Sequence, residues 1–266
     1  MIYKGPSTNK TATRQTSDRP AKKNGQIIYG MRPVMEALES GVQIDKVMLQ
    51  TGLSGNLFSD LKRKLQETNV PFQFVPVEKL NHITPNNHQG VVATISPIKY
   101  QSFESVVTRL QEEQKTPLIV LLDHVTDVRN MGAIARTVEC VGADAIVVPA
   151  HGSAQVNEDA IKTSSGALLR IPVCREENLK TVILLAKQMG IQVCAATEKA
   201  SESYVNVDFK LPTLLIMGAE DTGISNELLK LATVRAKIPI AGEVQSLNVS
   251  VAAGVFLYEA LRQRTV

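Results

Sequence analysis

Short, uninterrupted apolar runs are the feature that most limits how this chain can fold. Leu118 to Leu122 and Leu214 to Met217 are apolar throughout, and each run ends at a loop. Strands of this kind are typical of parallel sheets that carry helices on both faces. Such runs alternate with helical patterns from residue 117 onward, so the sequence predicts an α/β domain with a mainly parallel sheet at residues 117–266.

A smaller α/β domain is predicted at residues 26–98, where strands and helices also alternate. Phe72 to Val75 and Val91 to Ile95 are expected to be its clearest strands. Phe58 to Glu67 is predicted to be an amphipathic helix. Its exposed face would be basic and would carry Lys62, Arg63 and Lys64.

The two predicted domains are separated by a linker at residues 99–116. Within it, Ser102 is a plausible N-cap of a short amphipathic helix, because apolar residues follow at helical spacing. In the first domain, the cluster Asn86-Asn87-His88-Gln89-Gly90 favours a turn beside a strand, with contact to a ligand as the alternative.

Charge is distributed unevenly along the chain. Residues 1–25 hold six basic residues and one acidic residue, a balance of +5, whereas the whole chain carries +3 and the remainder therefore −2. A polar segment with few apolar residues cannot offset its ordering entropy, so we expect a disordered basic tail. Contact with nucleic acid and a purely solubilising role are both compatible with this tail.

The three cysteines favour neither a disulfide framework nor a metal site. Cys140, Cys174 and Cys194 are scattered in apolar surroundings and are expected to be buried thiols. The four histidines show no ligand spacing, so no metal is expected. No apolar run approaches the roughly 20 residues of a membrane span, and no secretory signal is evident, so a cytoplasmic protein is expected.

The first group of residues suited to chemistry lies where a predicted strand runs through a loop into a helix. The helix is expected to begin near Gly132, with Asn130 in the loop and Arg136 just over one turn inside. A guanidinium with mainly apolar neighbours favours bidentate contact with an anion, although surface helices often carry arginines.

Two further loops follow predicted strands later in the chain, the first after Leu214 to Met217 and the second after Arg235 to Ile240. The first contains Gly218 and Glu220, where glycine allows close approach of the backbone to a ligand. In the second, Ser246 is expected to cap the final helix, and Asn248 is a functional candidate because no capping duty is evident for it. Loops at the carboxyl ends of strands are where open α/β sheets bind ligands.

Several common motifs do not occur in the sequence. It contains no phosphate-binding G-x-x-x-x-G-K-[ST] loop, no dinucleotide-binding G-x-G-x-x-G and no His-Glu-x-x-His. These absences disfavour NTPase, ordinary dinucleotide-binding and metalloenzyme functions.

Together and in order, these segments resemble the three motifs of the SpoU branch of the SPOUT RNA 2′-O-ribose methyltransferases. The matching residues are Asn130-x-Gly132-Ala133-Ile134-x-Arg136-Thr137, Ile216-Met217-Gly218-Ala219-Glu220-x-x-Gly223-Ile224, Ile238-Pro239-Ile240 and Ser246-Leu247-Asn248-Val249-Ser250. Residues 27–98 look like the substrate-binding domain of the 23S rRNA guanosine methyltransferase subgroup.

The resemblance implies a parallel sheet whose C-terminal segment forms a trefoil knot, an exception to the usual absence of knots. It also implies that S-adenosylmethionine binds to backbone groups near Gly218, Ile238 and Leu247. Members of the family are homodimers with the active site near the subunit interface. The nearly all-apolar helix expected from Ser246 to Leu261 suits burial on more than one side.

By resemblance, Arg136 is the residue that helps to remove the proton of the ribose 2′-OH. Because a guanidinium stays protonated, we expect Arg136 instead to bind an RNA phosphate and to stabilise alkoxide charge, with a base role as the alternative. The remaining motif residues are expected to position the ribose, Arg136 and the cofactor. They are Asn130, Glu220, Ser246 and Asn248.

The function expected from the resemblance is transfer of a methyl group to the ribose 2′-OH of a guanosine in 23S rRNA. A guanosine of tRNA is the alternative substrate. A protein of a different class, which binds RNA in ribosome assembly but has lost catalysis, is the other alternative.

Overall fold

The computed structural model describes residues 27–244 and 246–265. The predicted basic tail at residues 1–25 lies outside the described residues. The first domain contains a four-stranded sheet in which β4 pairs antiparallel with β1 and β2, and β2 pairs parallel with β3. Its elements are β1 (Ile27–Tyr29), α1 (Met31–Glu39), β2 (Ile44–Gln50), α2 (Asn56–Glu67), β3 (Phe72–Val75), α3 (Val77–Ile83) and β4 (Val91–Ile95).

Helices cover both faces of this sheet. α1 and α2 pack on one face through residues such as Val34 and Leu61, and α3 packs on the other through Leu80. The basic face predicted for α2 is partly neutralised, because Arg63 lies 3.0 Å from Asp60 and 3.8 Å from Glu67.

The turn at residues 86–90 is stabilised by a buried histidine. His88 Nδ1 accepts a hydrogen bond from Gly90 N at 2.9 Å, and His88 Nε2 lies 2.9 Å from Asn81 Oδ1. Because Nδ1 is the acceptor, Nε2 carries the proton and donates it to Asn81. Both ring nitrogens of His88 are thus used within the fold, whereas Asn87 and Gln89 are exposed.

The second domain contains a seven-stranded sheet with the order β7-β6-β5-β10-β8-β11-β9, and all neighbouring strands are parallel. Its strands are β5 (Leu118–Asp123), β6 (Ala145–Pro149), β7 (Val173–Glu176), β8 (Gln192–Ala196), β9 (Glu202–Ser203), β10 (Thr213–Gly218) and β11 (Val234–Lys237). The helix α4 (Phe103–Glu112) precedes the first strand of this sheet. The helices that follow are α5 (Val128–Cys140), α6 (Glu158–Thr163), α7 (Leu179–Gln188), α8 (Asn226–Leu231) and α9 (Val249–Thr265). The predicted α/β class with a mainly parallel sheet is confirmed.

Alternation along β5 explains why its sequence is apolar throughout. Leu118, Val120 and Leu122 point to one face, where α5, α6 and α9 pack, and Ile119 and Leu121 point to the other, where α4, α7 and α8 pack. Successive side chains of a strand face opposite sides, so a sheet covered on both faces needs apolar residues at every position.

The segment predicted as a linker is tied to the second domain. Ser102 caps α4, since its side chain accepts a hydrogen bond from Ser105 N at 3.2 Å. Phe103 and Leu110 of α4 are buried in the second core. Gln101 forms a parallel bridge with Cys174, so the chain joins the edge of the large sheet before α4 begins.

A compact cluster also connects the two domains. Arg175 of β7 forms an ion pair with Asp45 of β2, and its Nη1 donates to the Asp45 carbonyl at 3.2 Å. The Arg175 guanidinium lies 3.5 Å from the ring centroid of Tyr100, whose hydroxyl donates to Asp45 Oδ1 at 3.3 Å. Burial raises the pKa of Tyr100, which keeps this hydroxyl protonated as a donor. We call these three residues the interdomain cluster.

Three element boundaries were predicted wrongly: the starts of α5 and α9 and the end of β11. α5 begins at Val128 rather than near Gly132, because the Asp127 side chain accepts from Arg129 N at 2.7 Å and caps the helix four residues earlier. β11 ends at Lys237 rather than Ile240, since Pro239 has no N–H with which to continue a ladder. α9 begins at Val249 rather than Ser246.

Burial of the cysteines was predicted correctly for two of the three. Cys174 and Cys194 are buried, and burial raises the pKa of each thiol to about 12. Cys140 is exposed, contrary to the prediction, because it ends α5 on the side that faces away from the core.

No helix in the described part of the chain combines the length and apolar character needed to cross a membrane. Across residues 27–244 and 246–265, no three His, Cys, Asp or Glu side chains come together in a group that could hold a metal ion.

Candidate active site

Side chains that are far apart in sequence meet at the carboxyl edge of the large sheet. Asn130 lies in the first turn of α5, Glu220 follows β10, and Asn248 precedes α9. Asn248 Nδ2 donates to Asn130 Oδ1 at 3.0 Å and also to Glu220 Oε1. We call these three residues the polar corner; Glu220 and Asn248 are exposed, and Asn130 is partly buried.

Asn248 has a structural role in addition to its place in the corner. Its Oδ1 accepts hydrogen bonds from Ser250 N at 2.9 Å and Ser250 Oγ at 2.5 Å, and its carbonyl accepts from Ala252 N at 2.9 Å. Asn248 is therefore the N-cap of α9, and the expectation that it has no capping duty was wrong. The acceptor end of the amide holds the helix, while the donor end binds Asn130 and Glu220.

Gly218 is needed for the shape of the loop after β10. A Cβ atom at this position would overlap the backbone of Gly223 and Ile224. The loop returns this closely because Gly223 N donates to the Ala219 carbonyl at 2.9 Å and Gly223 has a φ of 67°. Any side chain at residue 218 would thus displace the loop that carries Glu220.

Gly132 has a packing role. A Cβ at residue 132 would lie 2.7 Å from Thr163 Cβ, because α5 and α6 approach each other closely at this point. This glycine supports the position of Asn130 by allowing α5 to pack, and it requires no contact with a ligand.

Asp123 is a residue that the sequence analysis missed. It is 1% exposed at the end of β5, and its Oδ2 accepts from Ser225 N at 2.7 Å. Its Oδ1 lies 2.5 Å from His124 Nδ1. Asp123 therefore ties the end of β5 to the loop that carries Glu220. The available signal was a carboxylate directly after an unbroken apolar run, where a buried strand ends.

Ser225 stands at the N-cap position of α8, but its side chain makes no capping hydrogen bond. The contact with Asp123 is made by its backbone N–H instead.

A cavity opens beside the polar corner, between β10, β8, β11 and the start of α9. All three residues predicted to bind a cofactor, Gly218, Ile238 and Leu247, line this cavity, and Ser246 lies on its wall. The other lining residues are Ala196, Thr197, Glu198, Met217, Ala219, Glu220, Lys237, Ile240, Val249, Ala252 and Phe256. An apolar floor beside loop backbone suits a flat heterocycle with polar edges.

Arg136 is not part of the polar corner. It is exposed on α5, and no residue in the described part of the chain forms a hydrogen bond or ion pair with it. At 3.6 residues per turn, a separation of six residues places Arg136 roughly 120° around the helix from Asn130. Its guanidinium is therefore open to an anion from outside the chain.

Comparisons with known proteins agree with this geometry. The model of the SpoU rRNA Methylase family matches residues 117–258, and the RNA 2′-O ribose methyltransferase substrate binding domain matches residues 27–101. A protein of Staphylococcus haemolyticus, provisionally named a TrmH family tRNA/rRNA methyltransferase, is 32% identical over 238 residues, which are 90% of this chain and 96% of that protein.

Solved structures give the same result. The SpoU methyltransferase AviRb from Streptomyces viridochromogenes, in complex with the cofactor AdoMet, is 26% identical with a TM-score of 0.58 and coverage of 90% of both chains. An AdoMet-bound rRNA methyltransferase from Sinorhizobium meliloti is 27% identical, with a TM-score of 0.56 and coverage of 89% of this chain and 86% of that one.

A tRNA-modifying enzyme of the TrmH/SpoU type from A. aeolicus matches a smaller part of the chain. It is 34% identical with a TM-score of 0.52, and the match covers 61% of this chain and 84% of that chain. With family matches over both domains and the cofactor-bound neighbours, this chain belongs to the SpoU rRNA methylase family of S-adenosylmethionine-dependent RNA 2′-O-ribose methyltransferases.

Proposed function

We propose that this enzyme methylates the ribose 2′-OH of a guanosine in 23S rRNA, in the cytoplasm where that RNA is found. The observation that carries the proposal is the polar corner of Asn130, Glu220 and Asn248 beside the cofactor cavity. The corner offers both amide donors and a carboxylate acceptor, which are the groups needed to hold a ribose hydroxyl.

The choice of rRNA is supported by the extent of the structural matches. The neighbour named an rRNA methyltransferase covers 89% of this chain, which includes the substrate-binding domain, whereas the tRNA-modifying neighbour covers 61%. Guanosine as the target base rests on the resemblance to the 23S rRNA guanosine subgroup.

A tRNA guanosine is the second candidate substrate. The relative from Staphylococcus haemolyticus is named for both tRNA and rRNA, and it aligns with 90% of this chain.

The cofactor would be held by backbone groups near Gly218, Ile238 and Leu247, which line the cavity. S-adenosylmethionine supplies a methyl group bonded to a positively charged sulfur. Ser246 on the cavity wall and Asn248 at the start of α9 would place the ribose oxygen in line with that bond. Alignment of this kind supplies much of the rate, because a ribose hydroxyl is a weak nucleophile.

In the proposed mechanism the Asn248 amide fixes Asn130 and Glu220, and the Asn130 amide N–H and the second Glu220 carboxylate oxygen hold the ribose. Arg136 would bind an RNA phosphate next to the target nucleotide and stabilise the negative charge that develops on the attacking oxygen. The carbon–oxygen bond would form as the carbon–sulfur bond of the cofactor breaks, and the 2′-OH proton would pass to water. Asp127, at the start of α5, is a poor proton acceptor, because the hydrogen bond from the Arg129 side chain lowers its pKa.

We also propose that the enzyme is a homodimer that pairs through α9. Val251 and Tyr258 are 52% and 55% exposed on this helix, and a spacing of seven residues places them on one side of it. Exposed apolar side chains aligned on a helix favour a contact with another protein surface.

The decisive experiment maps 2′-O-methylation in 23S rRNA and tRNA from a strain that lacks the gene. We expect one guanosine of 23S rRNA to lose its methyl group and to regain it when the wild-type gene is returned. In the matched control, the strain receives the gene with Asn248→Asp instead. This variant keeps a cap for α9 but lacks the amide donor of the corner. Loss of a methyl group only in tRNA would establish the second candidate, and an unchanged map in both RNAs would refute the proposal.

A further inference from the structure

Two charged side chains stand on the wall of the cofactor cavity, and the family motifs include neither of them. Glu198 follows β8 by two residues, and Lys237 is the last residue of β11. Much of the surrounding wall is apolar and includes Met217, Leu247 and Phe256.

The sheet holds these two side chains next to each other. β8 and β11 are parallel neighbours with Ala196 opposite Ala236, and Thr197 N donates to the Ala236 carbonyl at 2.9 Å. Glu198 and Lys237 therefore leave the ends of adjacent strands on the same edge of the sheet.

Despite their opposite charges, Glu198 and Lys237 do not form an ion pair within 4.0 Å of each other. Within the described residues, the hydrogen-bond contact of the Glu198 carboxylate is a long one of 3.5 Å with Thr197 Oγ1, and Lys237 has none. A carboxylate and an ammonium that are free side by side complement a ligand that carries both charges.

The layout of the cavity indicates which part of the cofactor meets them. The polar corner lies at the ends of β5 and β10, while β8 and β11 are the next two strands across the sheet. The methyl group has to face the corner, so the other two substituents of the sulfur extend away from it. The apolar floor suits the adenine, which leaves the charged pair for the amino-acid end.

We propose that Glu198 accepts a hydrogen bond from the α-ammonium of S-adenosylmethionine and that Lys237 donates one to its α-carboxylate. The pair would select a cofactor with an intact amino-acid end. The proposal rests on the cofactor of the family and does not depend on which RNA is methylated.

Calorimetry on the full-length protein with three ligands tests the assignment of each charge. S-adenosylmethionine carries both groups, decarboxylated S-adenosylmethionine lacks the carboxylate, and 5′-methylthioadenosine lacks both. Lys237→Met should weaken S-adenosylmethionine binding about tenfold and leave the decarboxylated ligand unaffected. Glu198→Gln should weaken both of these ligands about tenfold and leave 5′-methylthioadenosine unaffected.

Lys199→Met and Glu202→Gln are matched controls, since both residues are charged neighbours that do not line the cavity. They should change none of the three affinities. Equal losses for all three ligands would overturn the proposal, as would unchanged affinities in both cavity variants. Weaker 5′-methylthioadenosine binding by Glu198→Gln would place Glu198 on the ribose hydroxyls instead.

These outcomes are separate from the test of the proposed function. A protein that binds S-adenosylmethionine through this pair but restores no methyl group to rRNA or tRNA would refute the proposed function and leave this inference intact.

Discussion

Arg136 differs from Asn130, Glu220 and Asn248 because the described part of the chain gives it no hydrogen-bond or ion-pair partner. The expected partner of Arg136 is the RNA. Removal of the Arg136 side chain should therefore affect methyl transfer to the RNA and not binding of the cofactor. Arg136→Ala should lower the rate of methyl transfer by about two to three orders of magnitude, with little change in S-adenosylmethionine affinity. Single-turnover methylation and calorimetry measure the two effects.

Arg129→Ala is the matched control for this variant. Arg129 lies seven residues earlier on the same side of α5, but its guanidinium is already paired with Asp127 at 3.2 Å. A near-normal rate for Arg136→Ala, or an equal loss in both variants, would contradict the role given to Arg136.

The three cysteines should differ in reactivity, since the thiolate is the reactive form. Burial raises the pKa of Cys174 and Cys194 to about 12, so these two thiols stay protonated at pH 8, whereas Cys140 is exposed. Alkylation of the folded protein with iodoacetamide should modify Cys140 first, as read by peptide mass spectrometry. Cys140→Ser should then remain unlabelled until denaturant is added, and rapid labelling of Cys174 would contradict the burial.

At the scale of elements, the strands were easier to predict than the helix starts. Phe72–Val75 and Val91–Ile95 have the predicted bounds. Val91–Ile95 is buried over its first three residues, whereas Gln73 and Phe74 of β3 are exposed. The starts of α5 and α9 were missed by several residues. They depend on side-chain caps, Asp127 and Asn248, whose hydrogen bonds become visible only when the loop conformation is known.

The polar corner could be predicted only in part for the same reason. The resemblance to the family motifs identified Asn130, Glu220 and Asn248 as candidates. It did not predict the contacts among them, and Asn130 and Asn248 are 118 residues apart in sequence. Asp123, Glu198 and Lys237 belong to no motif. Their importance follows from which strands are neighbours in the sheet, and a linear pattern does not contain that information.

The exposed side of α9 should control the oligomeric state. Tyr258→Glu places a charge in the proposed dimer contact, where it would have to be desolvated, and we expect it to give monomers at micromolar concentration. Sedimentation equilibrium measures this. Leu184→Glu, on an exposed site of α7, is the control and should stay dimeric. A wild-type protein that is already monomeric would refute the proposed contact.

We propose that the C-terminal segment of the chain passes through a loop as a trefoil knot, as the family resemblance implies. Its support in this chain is that Asn248 lies against both Asn130 and Glu220, so the segment crosses the ends of β5 and β10. When the two ends are pulled in an optical trap, a knotted chain should tighten and extend less than a free chain of 266 residues. Extension to the full contour length would exclude the knot.

At the scale of the whole molecule, the interdomain cluster should set the orientation of the substrate-binding domain. Asp45 and Arg175 have side chains only 3% and 14% exposed, so Arg175→Met would leave a buried charge unpaired and cost about 3–5 kcal/mol of stability. The double variant Asp45→Asn with Arg175→Met removes both charges and is the better probe.

We expect the double variant to bind S-adenosylmethionine normally but to methylate additional nucleotides, because the RNA-binding domain is no longer held in one orientation. Sequencing of methylated positions in rRNA gives the selectivity, and small-angle X-ray scattering gives the spread of interdomain distances. Unchanged selectivity with a broadened scattering profile would show that the orientation of the first domain does not select the site.

The two roles of Asn248, as the cap of α9 and as a member of the polar corner, affect when the active site forms during translation. Asn130 and Glu220 are made well before Asn248, yet the corner is complete only when the Asn248 amide both caps α9 and reaches them. A nascent chain that has emerged as far as Glu220 therefore has most of the large sheet but no assembled site. Newly made molecules should remain inert beside the ribosome that makes them until α9 has folded.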